Sequence, residues 1–284
     1  MRKPRFLPII PGITTPRASS PKLVPIESND RIRRLAMSSR DERRANAKEL
    51  NAALEEAAGM RPCDGCTECC TIIGVRSLNK LPGQRCKFVG ESGCKTYPNR
   101  PQECRQFYCF WRFGYMDDED RPDKSGIVLN PRQMNDVSFL MVSESRPGAV
   151  EKYADKLEDL AAAQGVSIVF GNIAEQTVTR VFGPTSAFFE LCMANPHLVG
   201  LHIAQRNERG LSWFVAKEAR PGTLKYFNDR LRDDAETLGS VVLTGTFNST
   251  EPVDIYGPPD AVAALASLIA ERQGIGKPRA IGKA

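Results

Sequence analysis

Residues 63–109 read CDGCTECCTIIGVRSLNKLPGQRCKFVGESGCKTYPNRPQECRQFYC and hold eight of the chain's nine cysteines: Cys63, Cys66, Cys69, Cys70, Cys86, Cys94, Cys104 and Cys109. Free cysteine serves well as a small core residue. A core has no use, however, for thiols at C-x2-C-x2-C-C spacing, which belongs to metal sites and disulfide frameworks. Pro82-Gly83, Gly90, Gly93, Pro98 and Pro101 break the later part of the segment into loops. Such a loop-rich unit needs a staple, and metal–thiolate bonding supplies folding free energy on the order of 10 kcal/mol. The expected product is a small metal-stabilised domain.

The intervals constrain how the sulfurs are used. Cys63, Cys66 and Cys69 recur at every third residue, so a tight loop can turn several thiols inward, with Gly65 supplying a positive φ. Cys69 and Cys70 are adjacent and point apart. Either two centres share the eight thiolates, or one cysteine serves another purpose. Lys87, Lys95, Arg100 and Arg105 alternate with the cysteines and would offset the charge of about −2 left by four thiolates around Zn²⁺. Phe88, Tyr97, Phe107, Tyr108, Phe110 and Trp111 are expected to wrap the site by ordinary packing.

Toward the N-terminus, Pro4, Pro8, Pro11, Pro16, Pro21 and Pro25 punctuate a basic stretch, and residues 1–38 are expected to be disordered. Phe6–Ile10 is too short for a secretory h-region and is broken by Pro8. A reducing cytoplasm is therefore expected, which favours metal over disulfides. The next domain, 39–116, opens with a helix from Ser39 to Met60. Ser39 caps it, Asp41 and Glu42 occupy its first turn, Leu50, Ala53, Leu54 and Ala57 share a face, and Gly59 ends it.

The net charge of +5 belongs to the ends: residues 1–26 carry +5 and 272–284 carry +4, so the part between is acidic by about 4. Nucleic-acid binding by the folded part is thereby disfavoured. The longest apolar run, AVAALASLIA at 261–270, is far shorter than the roughly 18 residues of a membrane span, so no membrane association is expected.

CDGCTECC, CKF and CKTYPNRPQECR together resemble the YkgJ-type cysteine-cluster family, the zinc- or iron-chelating CxxCxxCC domain. The pattern C-x2-C-x2-CC, C-x-F, C-x2-Y-x2-RP-x2-CR is matched throughout 63–109. The resemblance implies that the eight cysteines chelate zinc or iron, with an iron–sulfur cluster as one form, and that Tyr97, Arg100, Pro101 and Arg105 accompany them without being ligands. Some relatives are flagellin lysine methylases, and others are called iron–sulfur oxidoreductases. This chain departs from the methylases in being short and in lacking a glycine-rich cofactor loop.

Beyond the acidic turn DDEDRPDK at 117–124, the sequence repeats itself. ESRPGAVEKYADKLEDLAAAQGVSIVFG (144–171) aligns with EARPGTLKYFNDRLRDDAETLGSVVLTG (218–245) at an offset of 74, and VFGPTSA (181–187) continues the register against IYGPPDA (255–261). Each copy reads strand, helix, strand, strand, helix. The first comprises SFLMVS, PGAVEKYADKLEDLAAA, VSIVFG, TVTRVF and TSAFFELCM. Pro147 and Pro221 are expected in the first helical turn, where a missing N–H costs nothing. The fold class is thus α+β: a cysteine domain, then a duplicated domain over 125–273 with repeats at about 137–194 and 211–268, then a basic tail at 274–284.

Arg146 and Arg220 of the repeated RPG either present guanidinium groups to a small anionic ligand or serve the turn. His197 and His202 read as structural or surface residues, Cys192 as core, and GIGK at 274–277 lacks the spacing of a phosphate loop. Neither paired carboxylates nor a nucleophile–base pair is present. The leading expectation is a non-catalytic metal protein whose α+β module recognises a protein partner or small anion. The alternative is an iron–sulfur redox enzyme or a protein-modifying transferase that uses the cluster.

Overall fold

A computed structural model describes residues 61–63, 65–172, 177–246 and 252–272. The expected disordered segment 1–38, the helix at 39–60 and the tail at 274–284 lie outside these residues. No helix among those described is long and apolar enough to cross a membrane.

The chain is mixed α and β, as expected. Its first described part is built from short pieces: helix α1 (Glu68–Ile72), the two-residue strands β1 (Val89–Gly90) and β2 (Gly93–Cys94), helix α2 (Gln102–Arg105) and helix α3 (Pro122–Ser125). There follow β3 (Ile127–Met134), β4 (Val137–Glu144), α4 (Ala149–Lys152), α5 (Ala154–Gln164), β5 (Ser167–Asn172), β6 (Thr177–Phe182), α6 (Thr185–Ala194) and α7 (Pro196–Val199). The last elements are β7 (Leu201–Glu208), β8 (Leu211–Glu218), α8 (Asn228–Leu238), β9 (Val241–Gly245), β10 (Ile255–Tyr256) and α9 (Pro259–Arg272). Besides the β1–β2 ribbon there are two four-stranded sheets, one ordered β3-β4-β5-β6 and the other β10-β9-β8-β7.

Two compact units divide the chain: Leu140–Lys156 belongs with the part before Gln133, and Gln133–Phe139 with the part after Lys156. In the first unit the acidic turn is held by its own side chains. Asp117 and Asp120 form a reciprocal capping box, and the buried Asp120 carboxylate accepts from Lys156 Nζ at 2.5 Å.

In the second unit, β7 and β8 pair antiparallel from Leu201↔Glu218 to Glu208↔Leu211. Strand β9 runs parallel to β8, with Val215 opposite Leu243, and β10 antiparallel to β9. The aromatic side chains of α6 fill this unit's interior. Phe188 and Phe189 are 0% and 3% exposed, and their rings contact Phe227 at 5.5 Å and Phe214 at 4.9 Å. Cys192 is fully buried, as a core residue should be. Desolvation pushes its thiol far above the usual range.

Three features differ from the sequence reading. Each sheet opens with a strand the repeat pattern missed, β3 and β7. Only the first three residues of β3 are buried, and Pro131 disguises the strand further. Tight turns join β3 to β4 and β7 to β8, with left-handed backbone at Asn135 and Asp136 (φ 47° and 64°) and at Arg209 and Gly210 (φ 49° and 81°). Such pairs suit two-residue hairpin loops, whose twist matches that of the strands. Secondly, the expected helix 147–163 is broken at Tyr153 into α4 and α5.

Thirdly, Pro147 and Pro221 precede the helices instead of occupying their first turns. Gly148, at φ 78°, is the residue that caps α4. The RPG arginines serve this turn: Arg146 Nη2 donates to the carbonyls of Asp123 and Lys124 at 2.7 Å each, and Arg220 Nη2 donates to that of His197 at 2.9 Å.

Gly183 and Gly257 hold corresponding places after β6 and β10, at φ 110° and 134°; a Cβ there would lie 2.5 Å from the Val166 and Ser240 carbonyl oxygens respectively. Gly183→Ala and Gly257→Ala are each expected to lower unfolding free energy by about 1–3 kcal/mol, as urea denaturation would measure. Gly148→Ala, where nothing lies within 4 Å, should cost less.

A candidate thiol centre

The segment 61–112 folds back on itself so that its sulfurs share one space. Cys63 and Cys66 lie on a tight turn in which Cys66 N–H donates to Cys63 C=O at 2.9 Å. Gly65 supplies the left-handed residue, φ 81°. Cys69 and Cys70 then occupy α1. Lys80 gathers the end of this helix: its ammonium donates to the carbonyls of Thr71 and Leu81 at 3.1 and 3.3 Å and also to that of Ile73. Carbonyls left unpaired at a helix end are satisfied in this way.

Cys86 N–H donates to Cys70 C=O at 3.1 Å, and Val89 N–H to Cys86 C=O at 3.2 Å. Val89 in turn pairs with Cys94 across the ribbon. Gly93 approaches the first turn closely: a Cβ there would stand 3.5 Å from Gly65 Cα. Cys104 sits on α2, which Glu103 ties to the loop after α1 by accepting from Ser77 N–H and Oγ–H at 3.2 and 3.1 Å. Cys109 is drawn to the beginning of the segment. Arg112 N–H donates to Cys109 C=O at 3.0 Å and Arg61 N–H to Arg112 C=O at 2.8 Å, while Arg112 Nε returns a 2.8 Å bond to Arg61 C=O.

All eight cysteines of the motif line one cavity of about 330 Å³, and all are free thiols. The wall also contains Lys80, Arg100 and Arg112 and the aromatic rings of Phe88, Tyr97 and Phe107. Arg100 is thus the only one of the four cations expected around the site that lines the cavity. Arg105 instead donates from Nε to Arg100 C=O at 2.8 Å, and Lys87 lies over the Phe88 ring at 5.3 Å. Lys80 and Arg112, 7% and 4% exposed, are the cations that sequence reasoning missed. A basic residue usually signals surface, and the carbonyl partners that make the burial tolerable come from tertiary folding. Phe110 and Trp111 are buried and belong to packing: Phe110 stacks on Tyr115 at 4.9 Å, and Trp111 Nε1 donates to Asp117 C=O at 2.9 Å.

Desolvation is the leading influence on the acidity of three of these thiols. Burial raises Cys66 and Cys104 and pushes Cys109 up to about 12. The doublet behaves differently. The Cys69 thiol donates a hydrogen bond to Cys70 sulfur, which raises Cys69 well above the ordinary value and lowers Cys70 to about 7, with Lys80, Arg100 and Arg85 as further favourable charges. Burial lowers the Lys80 ammonium in turn, opposed by Cys86, Cys70 and Cys104.

Among the described residues, no three His, Cys, Asp or Glu side chains are arranged as a ready-made metal-binding group. The sulfurs surround the cavity without converging. The donor chemistry still fits a soft ion, since thiolates select zinc, copper(I) and iron–sulfur centres over hard cations. Protonated thiols have nothing to draw them together, and four unneutralised thiolates repel. Metal binding removes the protons and supplies the attraction. No family model, curated protein or solved structure matches this chain.

The thiolate fraction governs alkylation. In reduced, chelator-treated protein held at about pH 7.5, brief iodoacetamide treatment is expected to label Cys70 first, well before Cys109 and the buried Cys192, as peptide mass spectrometry reads. Labelling of Cys70 should fall as pH drops below about 7, because its thiolate is then protonated.

Proposed function

We propose that this chain is a metal-binding protein whose eight cysteines chelate zinc or iron, with an iron–sulfur cluster as one form of the iron. The observation that carries the reading is the gathering of all eight motif cysteines around one cavity. Free cysteines distributed as core residues would have no reason to share it. The resemblance of CDGCTECC, CKF and CKTYPNRPQECR to the CxxCxxCC family points the same way. An all-thiolate donor set suits a structural or electron-carrying role better than hydrolysis, because catalytic zinc keeps a position for water. Bound metal would supply folding free energy to a unit poor in regular structure. Thiols kept for metal imply a reducing compartment, and the cytoplasm fits.

The rest of the chain is a duplicated α+β module for partner recognition. The duplication is supported by β3, β4 and β5 beginning at 127, 137 and 167 and β7, β8 and β9 at 201, 211 and 241. Corresponding details agree. Glu144 accepts from Val150 N–H at 3.2 Å, and Glu218 from Leu224 N–H at 3.0 Å. Partner recognition is supported by an apolar groove of about 290 Å³ that includes Leu243, Ile255, Val262 and Ile269. Ile255 and Ile269 are 52% and 41% exposed there, more than folding alone requires.

Full-length protein purified without oxygen should carry zinc or iron in stoichiometric amount by elemental analysis. A variant with all eight cysteines changed to serine should carry neither. The visible absorption of thiolate-bound iron distinguishes it from zinc, which has none. Wild-type protein with neither metal above background overturns the proposal.

A further inference from the structure

We infer that the cavity is two sites, Cys63, Cys66, Cys69 and Cys109 forming one four-thiolate centre and Cys70, Cys86, Cys94 and Cys104 the other. The inference rests on the proposed metal binding and assigns the division of the ligands. Three arrangements of the backbone carry it.

The first is closure of the segment's two ends. The Cys63–Cys66 turn and Cys109 are joined through the paired backbones and side chain of Arg61 and Arg112. This brings the first turn of the motif and its last cysteine to the same end of the segment. The second is the bond from Cys86 N–H to Cys70 C=O, continued by the turn to Val89 and by Val89 pairing with Cys94. It links three cysteines without passing through the first turn. Glu103, held by Ser77, secures α2 and its Cys104 near the loop that supplies Lys80.

The third arrangement is α1 itself. Consecutive residues on a helix project about 100° apart, so Cys69 and Cys70, although their thiols meet, leave one short element in different directions and can each turn to a different neighbour. The charges acting on the thiols sort accordingly: Cys109 feels Cys66 and Cys63, whereas Cys104 feels Cys70, Cys86 and Cys94. Cys69 feels Cys63 and Cys66 in addition to its neighbour. The doublet belongs to both groups, so α1 supplies one ligand to each centre, and Gly93, beside Cys94, meets Gly65 of the first turn where the two centres adjoin. Four thiolates complete a tetrahedral Zn²⁺ or iron site without help from another residue.

Co²⁺ is a suitable probe because its thiolate complexes are coloured and zinc sites accept it. Reduced, metal-stripped full-length protein, titrated without oxygen, is expected to saturate its thiolate-to-cobalt absorption at two equivalents. Two double variants then separate the centres. C66S/C109S, with both changes in one centre, should keep one equivalent, as should the converse pair C86S/C94S. C66S/C94S, with one change in each, should keep none. General destabilisation would affect the three alike, and far-UV circular dichroism reports it directly. Saturation of wild type at one equivalent, or equal uptake by all three doubles, overturns the division while leaving metal binding intact. No uptake by wild type overturns both.

Discussion

Desolvated sulfur is the constraint on which the first unit depends. Among the described residues between Arg61 and Arg112 there are one five-residue and one four-residue α-helix, a few single turns of 3-10 helix and a ribbon of two-residue strands, too little regular structure to bury a large apolar core. The polar backbone of such loops needs partners. Much of the answer is local: Lys80 collects three carbonyls, and Arg112 fastens the start of the segment to its end. These bonds place the sulfurs around one cavity, and burial there makes Cys66, Cys104 and Cys109 reluctant to ionise. A bound dication would reverse that balance by stabilising the thiolates. Lys80 and Arg112 serve as internal fasteners first, and their positive charge near the thiols is a second consequence of the same placement.

The doublet gives the cluster its asymmetry. Of two adjacent thiols on α1, one donates and the other accepts, so a proton is held by Cys69 while Cys70 ionises near neutrality. Three basic side chains, Lys80, Arg100 and Arg85, favour that outcome. In the proposed division each member of the doublet faces a different centre, and the short helix becomes the element they share.

The cysteine pattern made the candidate site legible in the sequence, because spacing and chemistry are both local properties. The surrounding cations were not legible. Lys87, Lys95 and Arg105 alternate with the cysteines but lie outside the cavity wall, while Lys80, which has no cysteine beside it in the chain, reaches the wall through tertiary folding. The α+β character and most elements of the second half could be read from periodicity. Strands β3 and β7 escaped because their outer residues are exposed and carry no alternating apolar pattern. The break at Tyr153 escaped because helix-favouring residues continue on both sides. The RPG repeat pointed to a shared turn, and the carbonyl partners of Arg146 and Arg220 give that turn its physical content.

Sulfur as the donor to metal is tested most directly by X-ray absorption at the metal edge. Full-length protein purified without oxygen is predicted to show a sulfur-only ligand shell of about four atoms, at about 2.3 Å if the metal is zinc. A shell dominated by nitrogen or oxygen would contradict it.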